Sequence, residues 1–290
     1  MLHRRAAGLL LALALGSAAG SATGQEVLKR IANRQQVVVG YTDSAPPFSF
    51  LSGGKPTGYA IELCLDAVER LRRELGQPAL RLNFVSVDQD KVQRLLAAGS
   101  VDLLCGGISD TPARRNSVVF STPIYLSAVK LLVRAGDGPR TLEGMKGKTV
   151  AVIGRTTAED AVAVMNRQRA LQLKTALVVS PEAALSQLRL KQADAWARDE
   201  VLIVGALGRE ADANQFTLLP DPLSREVIAI AMPRDEALRK LVNDTLADGA
   251  RSGRLQALYD KWFVQPNAAS HAGLKMPLSP ELKAEFDRLR

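Results

Sequence analysis

Apolar residues along this chain follow two alternating rhythms. Residues 36–41 form a β-branched run and read as a strand. Residues 59–75 carry apolar side chains at helical spacing and end at Gly76, which predicts a helix. Residues 80–87 alternate as a strand, 92–98 form a short helix closed by Gly99, and 101–105 read as a buried strand. This β-α-β-α-β order predicts a parallel sheet covered by helices. Thr111-Pro112 opens a helical turn, and 129–133 reads as a strand. The turn-rich stretch Gly136-Asp137-Gly138-Pro139 then breaks the pattern. Afterwards the alternation restarts. Strands are expected at 149–153, 173–179 and 193–197, and helices at 158–169, 181–190 and 200–207. Further strands fall at 216–219 and 227–232, and helices at 235–252 and 255–263. The restart predicts two similar α/β lobes in place of one continuous sheet.

The first residues depart from this alternation. His3, Arg4 and Arg5 are followed by an apolar stretch at 6–15, and small residues over 16–24 offer cleavage positions ending at Ala22 or Gly24. This pattern predicts a cleaved signal peptide over 1–24. The alternative is a membrane anchor, but the apolar core falls short of the roughly 20 residues that a span needs. No cysteine in this region could carry a lipid, so the expectation is a free periplasmic protein. Cleavage leaves 290 minus 24, or 266, residues, long for one core and sufficient for two.

Export changes the reading of the two cysteines. Cys64 and Cys105 form an even pair in an oxidising compartment and are a candidate disulfide within the first lobe. The alternative is two buried free thiols. The whole chain carries a formal charge of +8, and the part after the signal 36 minus 30, or +6. Its cations are scattered along helices without interleaved aromatics, so nucleic acid is not an expected partner. The only histidines are His3 and His271, which excludes a Ser-His-Asp triad, a Cys-His pair and a His-rich zinc site. Neither a metal nor a cofactor is expected.

Four segments carry candidate chemistry. After the strand at 101–105, Gly106 and Gly107 allow close backbone approach. Ser109, Asp110 and Thr111 are N-cap types, Pro112 suits a first helical position, and Arg114 sits on the first turn. Free N–H groups and a guanidinium fork there suit a carboxylate, although an ordinary capped helix with a surface arginine reads equally well. Gly154-Arg155-Thr156-Thr157-Ala158-Glu159 repeats the strand-to-helix turn, with capping-box spacing between Thr156 and Glu159. Asp199 follows a strand, where it either caps the next helix or receives an ammonium group. The turn 43–48 contributes Asp43 and Phe48, the latter more often core than ligand platform.

Taken together, these segments resemble the polar-amino-acid family of periplasmic binding proteins, solute-binding protein family 3, the receptors of ABC importers. The likeness covers nearly the whole chain after the signal. It is carried by Pro46-Pro47-Phe48, Gly58-Tyr59, the set Gly107, Ser109, Thr111 and Arg114, and the run from Val119 to Pro123. It continues through Leu142, Met145, Gly147, Lys148 and Val150, then Thr156-Thr157, Asp199-Glu200, and the late series Gly253, Leu255, Leu258, Tyr259, Lys261, Trp262 and Phe263. Cys105-Gly106 and the tail from Pro277 to Leu282 place it nearest the glutamate/aspartate-binding branch.

The resemblance implies a type II-like periplasmic binding fold of two α/β lobes joined by a two-strand hinge. Lobe 1 is expected at 26–127 and 226–290, lobe 2 at 128–225, and the hinge strands near Leu131 and Ile228. It implies that Arg114 clamps a ligand α-carboxylate, helped by Ser109 and the backbone at Gly107. Thr157 would close from the second lobe, Asp199 would hold the α-ammonium, and Asp43 would lie near the ligand. A monomer delivering a small amino-acid-like ligand to an inner-membrane ABC permease is the expected context. Two rivals share this fold. One is an accessory binding protein of a sensor or oxidoreductase system. The other is a cyclic-acid dehydratase-like enzyme, with Glu159 or Asp199 as general acid.

Departures from the branch bear on the ligand's side chain. Thr42 and Val92 stand where the branch tends to carry arginines, Arg155 replaces a usual glycine, and Ala45 stands near a usual stacking aromatic. An enclosed side-chain carboxylate needs a cationic or multiply donating partner. The expectation is therefore that glutamate and aspartate are not bound in the manner of the branch, unless Arg155 supplies a relocated contact.

Overall fold

The computed structural model describes residues 26–88 and 91–290. The expected signal peptide at 1–24 lies outside the described residues. The first part runs α1 (Glu26–Arg34), β1 (Gln36–Tyr41), β2 (Ser44–Ala45), β3 (Ser49–Ser52), β4 (Lys55–Thr57), α2 (Tyr59–Glu74), β5 (Arg81–Ser86) and α3 (Val92–Ala97). It continues with β6 (Leu103–Ser109), α4 (Pro112–Arg115), β7 (Val119–Phe120) and β8 (Tyr125–Arg134). The middle part is β9 (Thr149–Ile153), α5 (Thr157–Arg169), β10 (Lys174–Val178), α6 (Pro181–Arg189), β11 (Ala195–Asp199), α7 (Glu200–Leu207) and β12 (Phe216–Leu218). The chain ends with β13 (Ser224–Met232), α8 (Glu236–Ser252), α9 (Arg254–Tyr259) and α10 (Pro280–Arg288).

One hydrogen-bonded sheet runs in the order β10-β9-β11-β8-β13-β6-β1-β5. The break in the sheet expected from the restart is not there, because β8 and β13 carry the pairing from one parallel group to the other. β1 runs parallel to β5 and β6, and β9 runs parallel to β10 and β11. Between these two parallel groups, β8 and β13 pair antiparallel to each other. β8 also pairs with β11, and β13 with β6. The pairing between β8 and β13 runs from Tyr125 to Val129, whereas Leu131 pairs with Ala197 of β11. The crossing thus lies a few residues before the hinge position expected at Leu131, because β8 begins four residues earlier than the apolar run alone indicates. Ile228 does lie at the crossing, opposite Tyr125 and Ser109.

The apolar residues of the two parallel groups are buried separately. On one side α2, α8 and α9 cover β1 and β6, with Tyr59, Tyr125, Tyr259 and Phe263 packed ring to ring at centroid separations of 4.5–6.3 Å. On the other, α5 and α6 cover opposite faces of β9 and β11, burying Val150 and Val152 on one face and Ala151 and Trp196 on the other. Both faces of these strands are dry, which is why they read as continuous apolar runs.

Cys64 on α2 and Cys105 on β6 are bonded, with Cα atoms 6.4 Å apart, inside the normal range. The bond ties helix to strand just before Gly106 and Gly107. No helix among the described residues is long and apolar enough to cross a membrane.

Candidate functional site

The sequence places chemistry-bearing residues at strand carboxyl ends, and there the two parallel groups face one another. β6 runs four residues beyond its expected end at Cys105, so Gly107 and Ser109 belong to the strand. Gly107 has φ +67°, and a Cβ there would stand 2.9 Å from the Phe48 ring. Glycine is thus demanded twice, by conformation and by space. Phe48 is fully buried and serves as core, as its residue type suggests.

α4 spans only Pro112–Arg115, so it brings little helix dipole to a ligand; the useful charge is on Arg114. Arg114 is half-buried, and its Nη1 donates to the Ser109 carbonyl at 2.7 Å, which fixes the fork beside the strand end. Asp110 does not compete for it. Arg115 holds both Asp110 carboxylate oxygens at 2.6 Å on the outer side. Burial lowers the Arg114 pKa from its ordinary value, opposed by the charges of Glu226, Asp199 and Asp160. The group stays cationic throughout the physiological range.

Opposite lies the turn between β9 and α5. The Thr156 hydroxyl accepts from the Glu159 N–H at 3.4 Å and donates to the Ile153 carbonyl at 2.7 Å. Thr156 is thus the N-cap, as its spacing to Glu159 predicts, while the Glu159 carboxylate accepts the N–H of Arg155, one residue before the cap, at 2.6 Å. Glu159 is thereby turned away as a general acid. Arg155 has φ +61°, a left-handed conformation that favours glycine, which accounts for the glycine usual at this place in the resembling family.

β11 begins and ends two residues later than its apolar run suggests, and Asp199 is its last residue. Asp199 does not cap α7 with its side chain. It is 7 % exposed, and its Oδ1 is buried without a hydrogen-bond partner. Burial first, and then the Glu226 carboxylate, push its pKa up to about 6, against the opposing charges of Arg198 and Arg114.

Five of the expected residues meet in one enclosed pocket of ≈ 20 Å³: Gly107, Ser109 and Arg114 on one wall, and Thr157 and Asp199 on the other. That volume admits a group about the size of a water molecule. A larger cleft of ≈ 510 Å³ adjoins it. Asp43 and Arg155 line this cleft and not the small pocket, and the Asp43 carboxylate accepts the Ser86 hydroxyl at 2.9 Å. Thr42 and Ala45 also line the cleft, with the Thr42 hydroxyl donating to the Gly106 carbonyl at 3.3 Å. Val92 is buried in the apolar layer beside β6 and lines neither space.

Sequence reasoning missed Arg198 and Glu226. Both are buried, at 8 % exposure each. Arg198 lines both spaces, while Glu226, held by the Ser224 hydroxyl at 2.8 Å, acts by its charge on Arg114 and Asp199. A signal was present in each case, a charged residue next to an apolar strand run, where unpaired charges are rare. Among the described residues, no group of three or more His, Cys, Asp or Glu is placed to hold a metal ion.

The chain is 29 % identical over 259 residues to the L-glutamate/L-aspartate-binding protein of Pseudomonas aeruginosa, covering 88 % of this chain and 86 % of that one. It is 26 % identical over 290 residues to the glutamate/aspartate import solute-binding protein of Escherichia coli, covering 98 % and 96 %. Both are binding proteins, not enzymes. Among solved structures, the substrate binding protein of an amino acid ABC transporter superposes with a TM-score of 0.69 at 25 % identity, covering 79 % of this chain and 100 % of the other. Residues 37–265 match the bacterial extracellular solute-binding proteins, family 3, and this chain, with its two facing strand-end walls, belongs to that family.

Proposed function

We propose that this protein is a periplasmic receptor that captures a free amino acid and presents it to an ABC importer in the inner membrane. The carrying observation is the small pocket, where Arg114 from one side and the Asp199 carboxylate, whose Oδ1 has no hydrogen-bond partner, from the other line the same enclosed space. A cation and an anion facing one volume complement an α-carboxylate and an α-ammonium. Ser109, the Gly107 backbone and the Thr157 hydroxyl supply neutral hydrogen-bonding groups around them. The names of the relatives, which bind glutamate and aspartate or import them, support an amino acid as ligand and an importer as partner.

The pocket is lined from both sides of the β8–β13 crossing, so in this reading the walls part for entry and close around the head group. The division into lobes at 26–127 with 226–290 and at 128–225 supplies the moving bodies, and the β8–β13 crossing supplies the hinge. Ligand then shifts an open–closed equilibrium by binding the closed form better. The pattern of residues 1–24 supports export behind a cleaved signal peptide.

A thermal-shift screen of the twenty amino acids tests this reading. A ligand at about 100 times its dissociation constant stabilises the fold by about 2.7 kcal/mol. If no amino acid shifts the transition, the head-group assignment is wrong. Mass spectrometry of the exported protein tests the leader, with loss of residues up to Ala22 or Gly24 expected.

A further inference from the structure

β11 is apolar until its end. Ala195, Trp196 and Ala197 are buried, and two charged residues then follow in succession, both more than nine-tenths buried. The head-group reading employs Asp199. It uses the charge of Arg198, which favours ionised Asp199, but leaves its fork unused. Arg198 Nη1 is buried and has no hydrogen-bond partner. Its guanidinium carbon lies 6.0 Å from the centre of the Trp196 ring, which supports it from within the protein. The carboxylates of Asp199 and Glu182 act on it by charge alone. A buried guanidinium with an unused donor is unfavourable in isolation and becomes favourable when an anion arrives.

Its position decides which part of a ligand would supply that anion. Among the described residues, only Ile153 and Arg198 line both the small pocket and the larger cleft. A ligand whose head group lies between Arg114 and Asp199 must send its side chain past this junction. We propose that Arg198 receives a carboxylate on the ligand's side chain, so that the cleft selects acidic amino acids. The proposal rests on the head-group reading above. A guanidinium fork pairs bidentately with a carboxylate, whereas a neutral amide offers one acceptor oxygen and leaves the charge uncompensated. The acids of the cleft wall do not take the role of that carboxylate. Asp43 is held by the Ser86 hydroxyl, and Asp88 is paired with Lys91. Selectivity would thus come from β11, on the opposite side of the cleft from Thr42.

The test is calorimetric titration of the wild type, Arg198→Met and Arg155→Ala with glutamate, aspartate and glutamine. The wild type is expected to prefer an acidic ligand to glutamine by about tenfold or more. Arg198→Met should weaken that acidic ligand by about a hundredfold while glutamine changes less than about fivefold. Arg155→Ala should keep the preference. Ligand-free Arg198→Met should unfold near the wild-type temperature, because removal of a buried donor without a hydrogen bond offsets the lost attraction to Asp199 and Glu182. A merely structural arginine would instead lower that temperature and leave the ratio of acidic to neutral affinity unchanged. Should the methionine variant fail to fold, Arg198→Gln carries the same comparison. Acidic-ligand affinity that survives loss of Arg198, or a wild type that binds neutral amino acids in preference, overturns the proposal. A wild type that binds no amino acid at all overturns the head-group reading instead.

Discussion

Gly205 of α7 lies against the Pro46 carbonyl so closely that a Cβ on Gly205 would stand 2.1 Å from that oxygen. The contact explains a glycine inside a helix, where it costs about 1 kcal/mol relative to alanine. α7 joins both apolar layers. Val201 and Leu202 pack with the core around α2, and Ile203 with the core around α6. In the proposed opening the helix leaves Pro46 as the lobes part, so the contact belongs to the closed arrangement. Gly205→Ala is therefore expected to disfavour closure by about 1–3 kcal/mol, as overpacking usually does, and so to weaken ligand binding, while the gain in helix propensity leaves the open form no less stable. Calorimetric titration measures this, and unchanged affinity would mean that the Pro46–Pro47 turn yields freely.

The Cys64–Cys105 bond closes a loop whose ends are 41 residues apart in sequence. Restricting a loop of that length in the unfolded chain is worth about 4 kcal/mol in the chain-entropy account, and native strain commonly reduces it. Replacing both cysteines by alanine should lower unfolding stability by about 2–4 kcal/mol. The site should suffer less, since Gly107 and Arg114 are fixed by β6 and by the Ser109 carbonyl. Two alkylatable thiols in the unreduced exported protein would refute the bond directly.

Much of this architecture was legible because both faces of the central strands are dry. The helix at 200–207 and the strand at 149–153 fall where their apolar runs place them. The small sheet β2–β3–β4 was not, because strands of two to four residues interrupted by Pro46, Pro47, Gly53 and Gly54 leave no periodic signal. The residues of the small pocket were legible through strand-to-helix turn chemistry and the family likeness. Arg198 was not. In a strand, neighbouring side chains point to opposite faces, so Asp199 toward the site implies Arg198 away from it. β11 ends with these two residues, and there both line the small pocket.

Arg114 is expected to dominate affinity while contributing little to folding. It is half-buried, and its one protein hydrogen bond from the fork is to the Ser109 carbonyl. Arg114→Ala should weaken any carboxylate ligand by about 2–5 kcal/mol, the usual loss on truncating one side of a buried charge pair. Arg114→Lys should not restore binding, because an ammonium group cannot reproduce the fork. Calorimetry on both variants checks this, and wild-type affinity in either would place the carboxylate clamp elsewhere.

The raised pKa of Asp199 makes both stability and binding depend on pH, in opposite directions. In the empty protein the group titrates at about 6, against an ordinary value of 3.8, because burial and the Glu226 carboxylate disfavour its charge. Protonated Asp199 is the favoured form in the fold, so its stabilising contribution is complete below about pH 4 and is lost as pH rises through about 6. That loss amounts to about 2.4 kcal/mol between pH 4 and pH 7. Asp199→Asn lacks it, so the variant should gain stability relative to the wild type over that interval, which denaturant midpoints at several pH values would show. Binding runs the other way. A ligand ammonium needs the ionised carboxylate, so affinity should fall as pH drops below about 6, by up to tenfold per unit, and level off above it. Near pH 5.5 each binding event should release about 0.8 of a proton, read from calorimetry in buffers of different ionisation enthalpy. Asp199→Asn should bind weakly with no such release. Affinity that is flat from about pH 5 to 7 in the wild type would mean that the ammonium is held by another group.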